Sequence, residues 1–206
     1  MCLWKRQIYI AFWKQLCYNT YYIIVERGKC VELNDIYDSS RRLTGRVHRR
    51  GTPWKEGEYG LVVCVWVYDG EGKLLLTRRA KGKSFAGTWE NSGGAAQAGE
   101  TSRQAIAREL YEETGIRAEE SEFELLCSDR DNHTHYDFYC LRRQIPIEEV
   151  VLLPGETDDA KWVSFQQVHE MIRSRQICRI IAGQFQRQER YLKNRQNTQL
   201  KKPLFG

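Results

Sequence analysis

The hydrophobic pattern of the chain is clearest from residue 59 onward, where it predicts two neighbouring strands. Residues 61–68 are an unbroken run of β-branched, aromatic and other apolar side chains, which is typical of a strand buried on both faces. Residues 69–72 have the composition of a turn, and residues 73–79 follow as a second strand. The pattern therefore predicts a hairpin.

A glycine-rich connection, residues 81–98, separates this hairpin from a predicted helix over residues 100–114. Gly115 comes directly after the helix, at the position where glycine commonly ends one. Connections of this length inside a compact domain usually carry function. We therefore expect residues 81–98 to take part in the activity of the protein.

Shorter apolar runs later in the chain predict further strands and two helices. The strands are expected near residues 123–128, 136–142 and 160–163, and the helices over residues 165–174 and 176–193. In the last helix, one stripe at helical spacing can pack on the body of the protein; it consists of Ile177, Ile181, Phe185 and Leu192. This order of elements predicts an α/β sandwich with a mixed β-sheet.

Charge and composition divide the chain into three predicted segments. The net charge is +5, but from Arg173 to the end nine Lys or Arg residues accompany a single acid, Glu189. We predict an N-terminal extension at residues 1–31, the main domain at 32–175, and a basic C-terminal helix and tail at 176–206. The basic segment is either a solvated helix face or a contact for a phosphate-rich partner, although we do not expect a nucleic acid. The change in composition at residues 29–31 suggests the hypothesis that the native chain starts there.

Cysteine usage and hydropathy bear on where the protein resides. There are seven cysteines, an odd number, and no two of them form a CxxC pair. This argues against a disulfide framework or a zinc site and is typical of reduced thiols. No apolar run approaches the length of a bilayer span, and residues 1–25 lack the pattern of a signal peptide. We therefore expect a soluble, cytoplasmic protein with no membrane partner.

The predicted helix over residues 100–114 carries three carboxylates on one side. At about 100° per residue, Glu109, Glu112 and Glu113 share a face. The opposite, buried side is expected to contain Ile106, Ala107, Leu110 and Tyr111. Three crowded carboxylates repel one another without a cation, and their hard oxygen atoms suit Mg²⁺ or, alternatively, Mn²⁺. Taken alone, however, such a triplet is more often only a solvated acidic face.

The sequence around these acids resembles the Nudix box, G-x5-E-x7-R-E-U-x-E-E-x-G-U, in which U is an aliphatic residue. Its nine fixed positions are matched by Gly94, Glu100, Arg108, Glu109, Leu110, Glu112, Glu113, Gly115 and Ile116. The resemblance to the Nudix hydrolase family extends over about residues 32–192. It implies an α/β/α sandwich and Mg²⁺-dependent cleavage of a phosphoanhydride bond in a nucleoside diphosphate linked to another moiety, and it allows for a homodimer.

The resemblance also assigns roles to the matched residues. It implies that Glu109, Glu112 and Glu113 ligate the divalent metal ion and that Gly94 adds its backbone carbonyl. It further implies that Arg108 and Glu100 hold the helix and its acids in position. The implied reaction is attack of a metal-activated water on a phosphorus atom of the diphosphate.

The general base and the substrate contacts are expected partly outside the box. Either a box glutamate or Glu156 could accept the proton, unless Glu156 is only part of an acidic turn. Arg78 or Arg79 could clamp a phosphate or be a solvated strand end. Trp89 could stack on a base or pack in the core. Two histidines are either strand-edge residues or members of the substrate site: His133 and His135.

Two other functions are alternatives to hydrolysis. Isopentenyl-diphosphate isomerase has a similar layout, but this chain has no cysteine between Cys64 and Cys127, and Gly60 occupies the position where a ligand histidine is expected. A non-catalytic nucleotide-binding module is the second alternative, which the intact box glutamates argue against. Among hydrolases, the lack of a proline at residues 129–133 disfavours the members that cleave ADP-ribose.

Overall fold

The computed structural model describes residues 24–26 and 29–199. Two short antiparallel strand pairs come first: β1 (Ile24–Glu26) with β2 (Lys29–Val31), and β3 (Leu33–Tyr37) with β4 (Leu43–Arg49). Most of the predicted extension at residues 1–31, and residues 200–206 of the predicted tail, lie outside the described residues. The boundaries of the three predicted segments therefore stay predictions.

Seven of the described strands form one central sheet. They are β5 (Gly60–Tyr68), β6 (Leu74–Arg79), β7 (Trp89–Glu90), β8 (Ser92–Ala95), β9 (Glu124–Asp131), β10 (Thr134–Arg142) and β11 (Thr157–Val163). The strand order is β11-β6-β5-β10-β9, with β7 paired to β6 and β8 paired to β5. Strands β5 and β10 are parallel, whereas the other neighbours are antiparallel. The sheet is mixed, as predicted.

Helices cover both faces of this sheet. They are α1 (Ser102–Thr114), α2 (Phe165–Arg173) and α3 (Arg179–Gln199), and two 3-10 turns lie at Glu120–Glu122 and Ile147–Glu149. The α1 face of the sheet packs with Ile106 and Leu110, which are fully buried as predicted. Ala107 and Tyr111, expected on the same buried side, are only partly buried. The fold is the α/β/α sandwich that the sequence indicated.

Strand β5 lies between the two layers because its apolar side chains alternate. Val63 and Val65 join the cluster under α1, whereas Trp66 joins the cluster under α2 and α3. The indole of Trp66 donates to Gln188 Oε1 of α3 at 2.8 Å, so its one polar atom is satisfied inside the core. A strand with apolar residues on both sides is therefore buried on both faces, as its unbroken hydrophobic run predicted.

The predicted hairpin of β5 and β6 is present, but its strands soon part. They pair in the ladder only at Tyr68 and Leu74, next to the turn. Beyond that point β8 pairs with β5 and β7 pairs with β6, so part of the expected irregular connection over residues 81–98 is strand. The sequence did not indicate these strands, because glycine has a low strand propensity. Gly93 is needed here, since a Cβ would lie 2.3 Å from the carbonyl oxygen of Val63.

Helix α3 packs on the body through the predicted stripe, with Ile181, Phe185 and Leu192 buried. It begins at Arg179 and not at residue 176, because the preceding backbone pairs with β7. The Trp89 N–H donates to the Gln176 carbonyl at 2.8 Å, and the Cys178 N–H donates to the Trp89 carbonyl at 3.0 Å. Within residues 24–26 and 29–199, no helix is both long enough and apolar enough to span a membrane.

Candidate active site

Helix α1 is fixed at both of its ends. The Thr101 hydroxyl accepts from the Gln104 N–H at 3.2 Å, and the Gln104 side chain accepts from the Thr101 N–H at 3.0 Å, which is a capping box. Gly115 ends the helix in the left-handed conformation, with φ of 70°, and its N–H donates to the Tyr111 carbonyl at 2.8 Å. These caps fix where α1 begins and ends.

Arg108 connects the acids of α1 to the segment before the helix. Its guanidinium donates to both carboxylate oxygens of Glu100, at 2.7 and 3.0 Å, and to the Ala95 carbonyl at 3.1 Å. Its Nη1 also donates to Glu109 at 2.9 Å and to Glu112 at 3.0 Å. The side chains of Arg108 and Glu100 are only 8% and 1% exposed, so this is a buried, planar, two-bond ion pair.

Glu113 lies deeper than the other two box acids. One of its carboxylate oxygens accepts from the Gly93 N–H at 3.3 Å, and the Ser92 side chain also hydrogen-bonds to it. Its backbone carbonyl accepts from the Thr157 hydroxyl at 3.0 Å, which connects α1 to the start of β11. Glu109 and Glu113 therefore both contact β8, whereas Glu112 is connected to Glu109 through Arg108.

Gly94 is in direct contact with one of these acids. A Cβ built on Gly94 would lie 2.4 Å from Oε1 of Glu109, so any side chain at this position would displace the carboxylate. The backbone of β8 thus approaches the acid at closer range than a substituted residue permits. This explains in physical terms why glycine occupies the first position of the motif.

Burial raises the pKa of each box acid. For Glu112 it raises the pKa to about 7, although Arg108 acts to lower it. Burial likewise raises the pKa of Glu109, again opposed by Arg108. For Glu113, burial and then the negative charges of Glu109 and Glu90 raise the pKa well above its ordinary value. One arginine therefore does not neutralise the negative charge that the site carries when its acids are ionised.

The chemistry of this donor set fits a hard divalent cation. Carboxylate oxygens and a nearby backbone carbonyl are the ligands that Mg²⁺ takes from proteins, and a cation would offset the surplus negative charge. In the described part of the chain, no three His, Cys, Asp or Glu side chains already converge as a metal-binding group. Arg108 draws Glu109 and Glu112 together, whereas Glu113 turns to the Gly93 amide. A cation would have to compete with Arg108 Nη1 for two of its ligands.

Neither arginine predicted as a phosphate clamp is free of protein partners. Arg79 donates from Nη1 to both oxygens of Glu90, at 2.6 and 2.8 Å, and from Nε to the Ser84 carbonyl at 2.5 Å. Arg78 donates from Nε to Asp158 at 2.6 Å. Arg79 is thereby committed to holding the 81–88 connection against Glu90. Arg79 is therefore held by the buried Glu90, whereas the ion pair of Arg78 with Asp158 has side chains that are 37% and 38% exposed, and the phosphate-clamp expectation stays a prediction.

Trp89, expected either to stack on a base or to pack in the core, packs in the core. It is 7% exposed and belongs to the cluster beneath α2 and α3. Lys161 Nζ lies 4.0 Å from the centre of its ring, and the Arg78 guanidinium lies 5.7 Å from it. Because the ring is buried and contacted by these cations, the base-stacking expectation is wrong for this structure.

Glu156 lies in the loop before β11, and its carboxylate is 43% exposed and paired with Lys83. The next residue, Thr157, contacts the end of α1, so this loop borders the box acids. The two candidate histidines have structural partners. His133 Nδ1 lies 2.9 Å from the Glu58 carbonyl, and His135 Nε2 lies 2.8 Å from the Asp38 carbonyl. His133 lies just before β10, as the strand-edge interpretation expects, whereas His135 is buried within β10, which pairs with β5 and β9, so that interpretation is wrong for His135.

Three charged residues near the site were not found from the sequence. Glu90 is buried, and its charge contributes to the raised pKa of Glu113. Glu32 and Arg50 form an ion pair at the end of the β3–β4 hairpin. For Glu90 the sequence did contain a signal, because an acidic residue directly after Trp89 could have marked it as a candidate site residue. The other two are brought to the site only by the docking of the hairpin, which local patterns do not indicate.

Two positions bear on the isomerase alternative: Cys64, which precedes the loop where the catalytic cysteine of that enzyme is expected, and Gly60. Cys64 is buried in β5, and burial, followed by the charge of Glu113, raises the pKa of its thiol above its ordinary value. A buried neutral thiol is unreactive. At Gly60, a Cβ would lie 2.9 Å from the Trp54 ring, so the indole fills the space that a histidine would need.

Comparison with known proteins agrees with this geometry. Residues 58–179 match the model of the NUDIX domain, which spans more than half of the chain. An uncharacterized Nudix hydrolase of Listeria monocytogenes is 32% identical over 142 residues, which cover 68% of this chain and 83% of the relative. An isopentenyl-diphosphate Delta-isomerase of Leifsonia xyli is 41% identical over 71 residues, but these cover only 34% of this chain and 36% of that enzyme.

A solved structure has the same fold. The crystal structure of a Deinococcus radiodurans protein superposes with a TM-score of 0.64 at 20% identity, covering 76% of this chain and 99% of that one. At this identity the likeness shows the fold alone. The NUDIX domain match and the long alignment with the Listeria protein carry the assignment further. The chain belongs to the Nudix family and is a hydrolase that acts on phosphorus-containing anhydrides.

Proposed function

We propose that this hydrolase cleaves the phosphoanhydride bond of a nucleoside diphosphate linked to another moiety, with Mg²⁺ as its cofactor and Mn²⁺ as the alternative. The observation that supports this most is the position of Arg108, which bonds to Glu100, Glu109 and Glu112 on the face of α1 next to Gly94. Because Arg108 alone faces several acids, the site favours a substrate whose phosphates bind together with a divalent ion.

Four residues would hold the ion: Glu109, Glu112 and Glu113 through their carboxylates, and Gly94 through its backbone carbonyl. When bound, Mg²⁺ would offset the charge of the diphosphate and make water more acidic. Arg108 keeps its two bonds to Glu100 even if Glu109 and Glu112 turn away from Nη1. It therefore continues to fix α1 to the segment before it.

For the proton acceptor we favour a box glutamate over Glu156. Glu156 is paired with Lys83, and this pair must open before its carboxylate can accept a proton from water. Glu112 is less committed, because its single bond to Arg108 Nη1 is shared with Glu109. We expect Glu156→Gln to lose less than about tenfold in kcat, compared with about 100-fold or more for Glu112→Gln.

The experiment is a screen of diphosphate compounds with Mg²⁺ by phosphate release. The panel contains nucleoside triphosphates, dinucleoside polyphosphates, sugar nucleotides and ADP-ribose. Glu112→Gln and Glu113→Gln should abolish the Mg²⁺-dependent cleavage that the wild type performs. Glu120→Gln, an exposed glutamate of the 3-10 turn after α1, is the matched control and should be fully active. Equal activity in the wild type and Glu112→Gln would sink the proposal.

The local similarity to isopentenyl-diphosphate isomerase supports a second candidate, isomerisation of that diphosphate. The buried thiol of Cys64 and the Trp54-filled space at Gly60 argue against it. An assay for double-bond migration in isopentenyl diphosphate distinguishes the two. A non-catalytic nucleotide-binding module would instead bind members of the panel and release no phosphate from any of them.

A further inference from the structure

A negatively charged diphosphate needs cationic partners in a site that is itself acidic. Two arginines around the site are committed elsewhere: Arg108 is buried against Glu100, and Arg79 is held by the buried Glu90. Releasing either one would leave a buried carboxylate without its partner, which is costly. A cation that binds substrate should instead have a partner that it can leave at low cost.

Arg50 is located where such a cation is needed. It follows β4 directly, and its N–H donates to the Glu32 carbonyl at 3.0 Å, which closes the open end of the β3–β4 hairpin. The hairpin is bonded to the segment that leads into α1. The Ala98 N–H donates to the Leu33 carbonyl at 2.8 Å, and the Asn34 side chain donates to the Ala96 carbonyl at 2.8 Å. The hairpin end is thus anchored next to the Nudix box.

The charges around Arg50 come from two other sides of the site. Its hydrogen bond to Glu32 raises the pKa of Arg50, burial opposes this, and the charges of Glu32, Glu109 and Glu156 raise it further. Glu109 belongs to α1, and Glu156 belongs to the loop that contacts the end of α1 through Thr157. The charges of Glu109 and Glu156 thus act on Arg50 at the anchored end of the hairpin.

The ion pair of Arg50 with Glu32 is easy to exchange. The two side chains are 63% and 49% exposed, in contrast to the buried pair of Arg108 and Glu100. Ion pairs between exposed groups contribute little to stability, about 0–1 kcal/mol. A guanidinium group also binds phosphate through two parallel hydrogen bonds, whereas Glu32 accepts one bond from Arg50 Nη1, so a phosphate can replace this carboxylate and accept more bonds than it does.

We propose that Arg50 binds a phosphate of the substrate's diphosphate group and that Glu32 holds its guanidinium in place until the substrate arrives. The substrate exchanges one anionic partner of Arg50 for another, and Glu32 is released to solvent. This inference deepens the proposed function and rests on it. It gives the β3–β4 hairpin, which lies before residue 58 and so outside the matched family domain, a direct contact with the substrate.

The test is the binding of methylenediphosphonate, a diphosphate mimic with a non-hydrolysable bridge, measured by calorimetry in Mg²⁺. Arg50→Ala should weaken binding by about tenfold or more, because a charge-assisted hydrogen-bonding pair is lost. Arg50→Lys should weaken it less. Glu32→Gln should bind as tightly as the wild type or more tightly, because it removes the competing carboxylate. If Arg50 acted only by supporting the hairpin, Glu32→Gln would weaken binding as much as Arg50→Ala, and that result would overturn the proposal.

Arg42→Ala is the matched control, because it removes an exposed arginine from the same hairpin, where Arg42 pairs with Asp38. Its affinity should equal that of the wild type. If Arg42→Ala lost as much affinity as Arg50→Ala, the proposal would be overturned. An unchanged affinity in Arg50→Ala would overturn it too. Binding that depends on Arg50, in a protein that cleaves no diphosphate of the panel, would support the contact while the proposed function fails. Cleavage by the wild type with unchanged affinity in Arg50→Ala would refute the contact alone.

Discussion

At the scale of single residues, Arg108 has the largest number of polar partners in the site. Its five donors meet two oxygens of Glu100, one oxygen each of Glu109 and Glu112, and the Ala95 carbonyl. Lysine has one ammonium group and cannot reproduce this planar set of bonds. The exchange of Arg108 for lysine therefore tests positioning with the positive charge kept.

Arg108→Lys should lower kcat by about 10- to 100-fold, as expected for a group that orients metal-binding residues. It should also raise the Mg²⁺ concentration needed for half-maximal rate, because Glu109 and Glu112 lose their common support. Steady-state rates across a Mg²⁺ titration measure both effects. Arg103→Lys is the control on the same helix, since Arg103 donates to the backbone carbonyls of Glu120 and Phe123. An undiminished kcat in Arg108→Lys would contradict the positioning role.

The residues that match the Nudix box could be located from the sequence, and their contacts could only partly be inferred. The shared face of Glu109, Glu112 and Glu113 follows from helical periodicity. The partners of Arg79 and Arg50 do not, because Glu90 belongs to β7 and Glu32 precedes β3, and both reach their arginines only through tertiary packing. Local patterns report which side chains share an element, whereas ion pairs between elements depend on the whole fold.

At the scale of elements, the two neighbouring glycines of strand β8, Gly93 and Gly94, make different kinds of close contact. A side chain at Gly93 would meet the backbone carbonyl of Val63, which cannot move without disturbing β5. A side chain at Gly94 would instead meet the end of the Glu109 side chain, which can turn aside. The same substitution at these neighbouring positions should therefore have different effects.

Gly93→Ala should lower the free energy of unfolding by about 1–3 kcal/mol or more, as overpacking does. Gly94→Ala should change stability much less, but it should lower kcat because the methyl group displaces Glu109. Urea unfolding and steady-state kinetics on both variants check this pair of outcomes. A stable Gly93→Ala, or a fully active Gly94→Ala, would contradict the contacts around β8.

Element positions were predicted well where the hydrophobic run was long and less well where glycine interrupted it. β5 and β6 were found nearly at their observed limits. β7 and β8 were missed because they are short, and because β8 contains two glycines. α3 was expected to start earlier, but residues 176–178 form backbone bonds to β7 that a helix would not leave available.

At the scale of the whole molecule, the β3–β4 hairpin is attached to the body by a buried carboxylate. Asp137 of β10 accepts from Arg41 at 2.6 Å, from Ser102 at 2.5 Å and from Ser128 at 2.6 Å. Burial acts to raise the pKa of Asp137, but the hydrogen bonds from Arg41, Ser102 and Ser128 outweigh it and the pKa is lowered. The carboxylate of Asp137 in β10 therefore connects the turn of the hairpin, the start of α1 and strand β9.

A lowered pKa makes this attachment sensitive to acid. The unfolded chain takes up a proton on Asp137 more readily than the folded chain, so this stabilisation is present above the ordinary pKa and is lost as the pH falls through the lowered one. Asp137→Asn should lower the free energy of unfolding by about 2 kcal/mol at pH 7, since hydrogen bonds to a charged group are lost. The difference from the wild type should shrink below about pH 4. Urea unfolding from pH 7 to pH 3 measures it, and a difference independent of pH would contradict this account.

Mg²⁺ binding should be visible in the stability of the whole domain. An ion that binds only the folded chain, at about 100 times its Kd, adds about 2.7 kcal/mol and should raise the Tm by about 5–10 °C. Glu113→Gln should lose most of this rise, whereas Glu120→Gln should keep it. Thermal unfolding with Mg²⁺ and with EDTA provides the comparison. An equal Tm for the wild type in both conditions would contradict binding at the box acids.

The early parting of β5 and β6 has a consequence for how this scaffold can vary. The two strands pair only beside their turn. The 80–88 connection joins β6 to β7, which pair with each other, and β8 then pairs with β5. Residues can be inserted or deleted near Phe85, which is 53% exposed, without shifting the register of β8 against β5. Grafting connections of different length at this place should thus change which compounds are accepted while hydrolysis itself is retained.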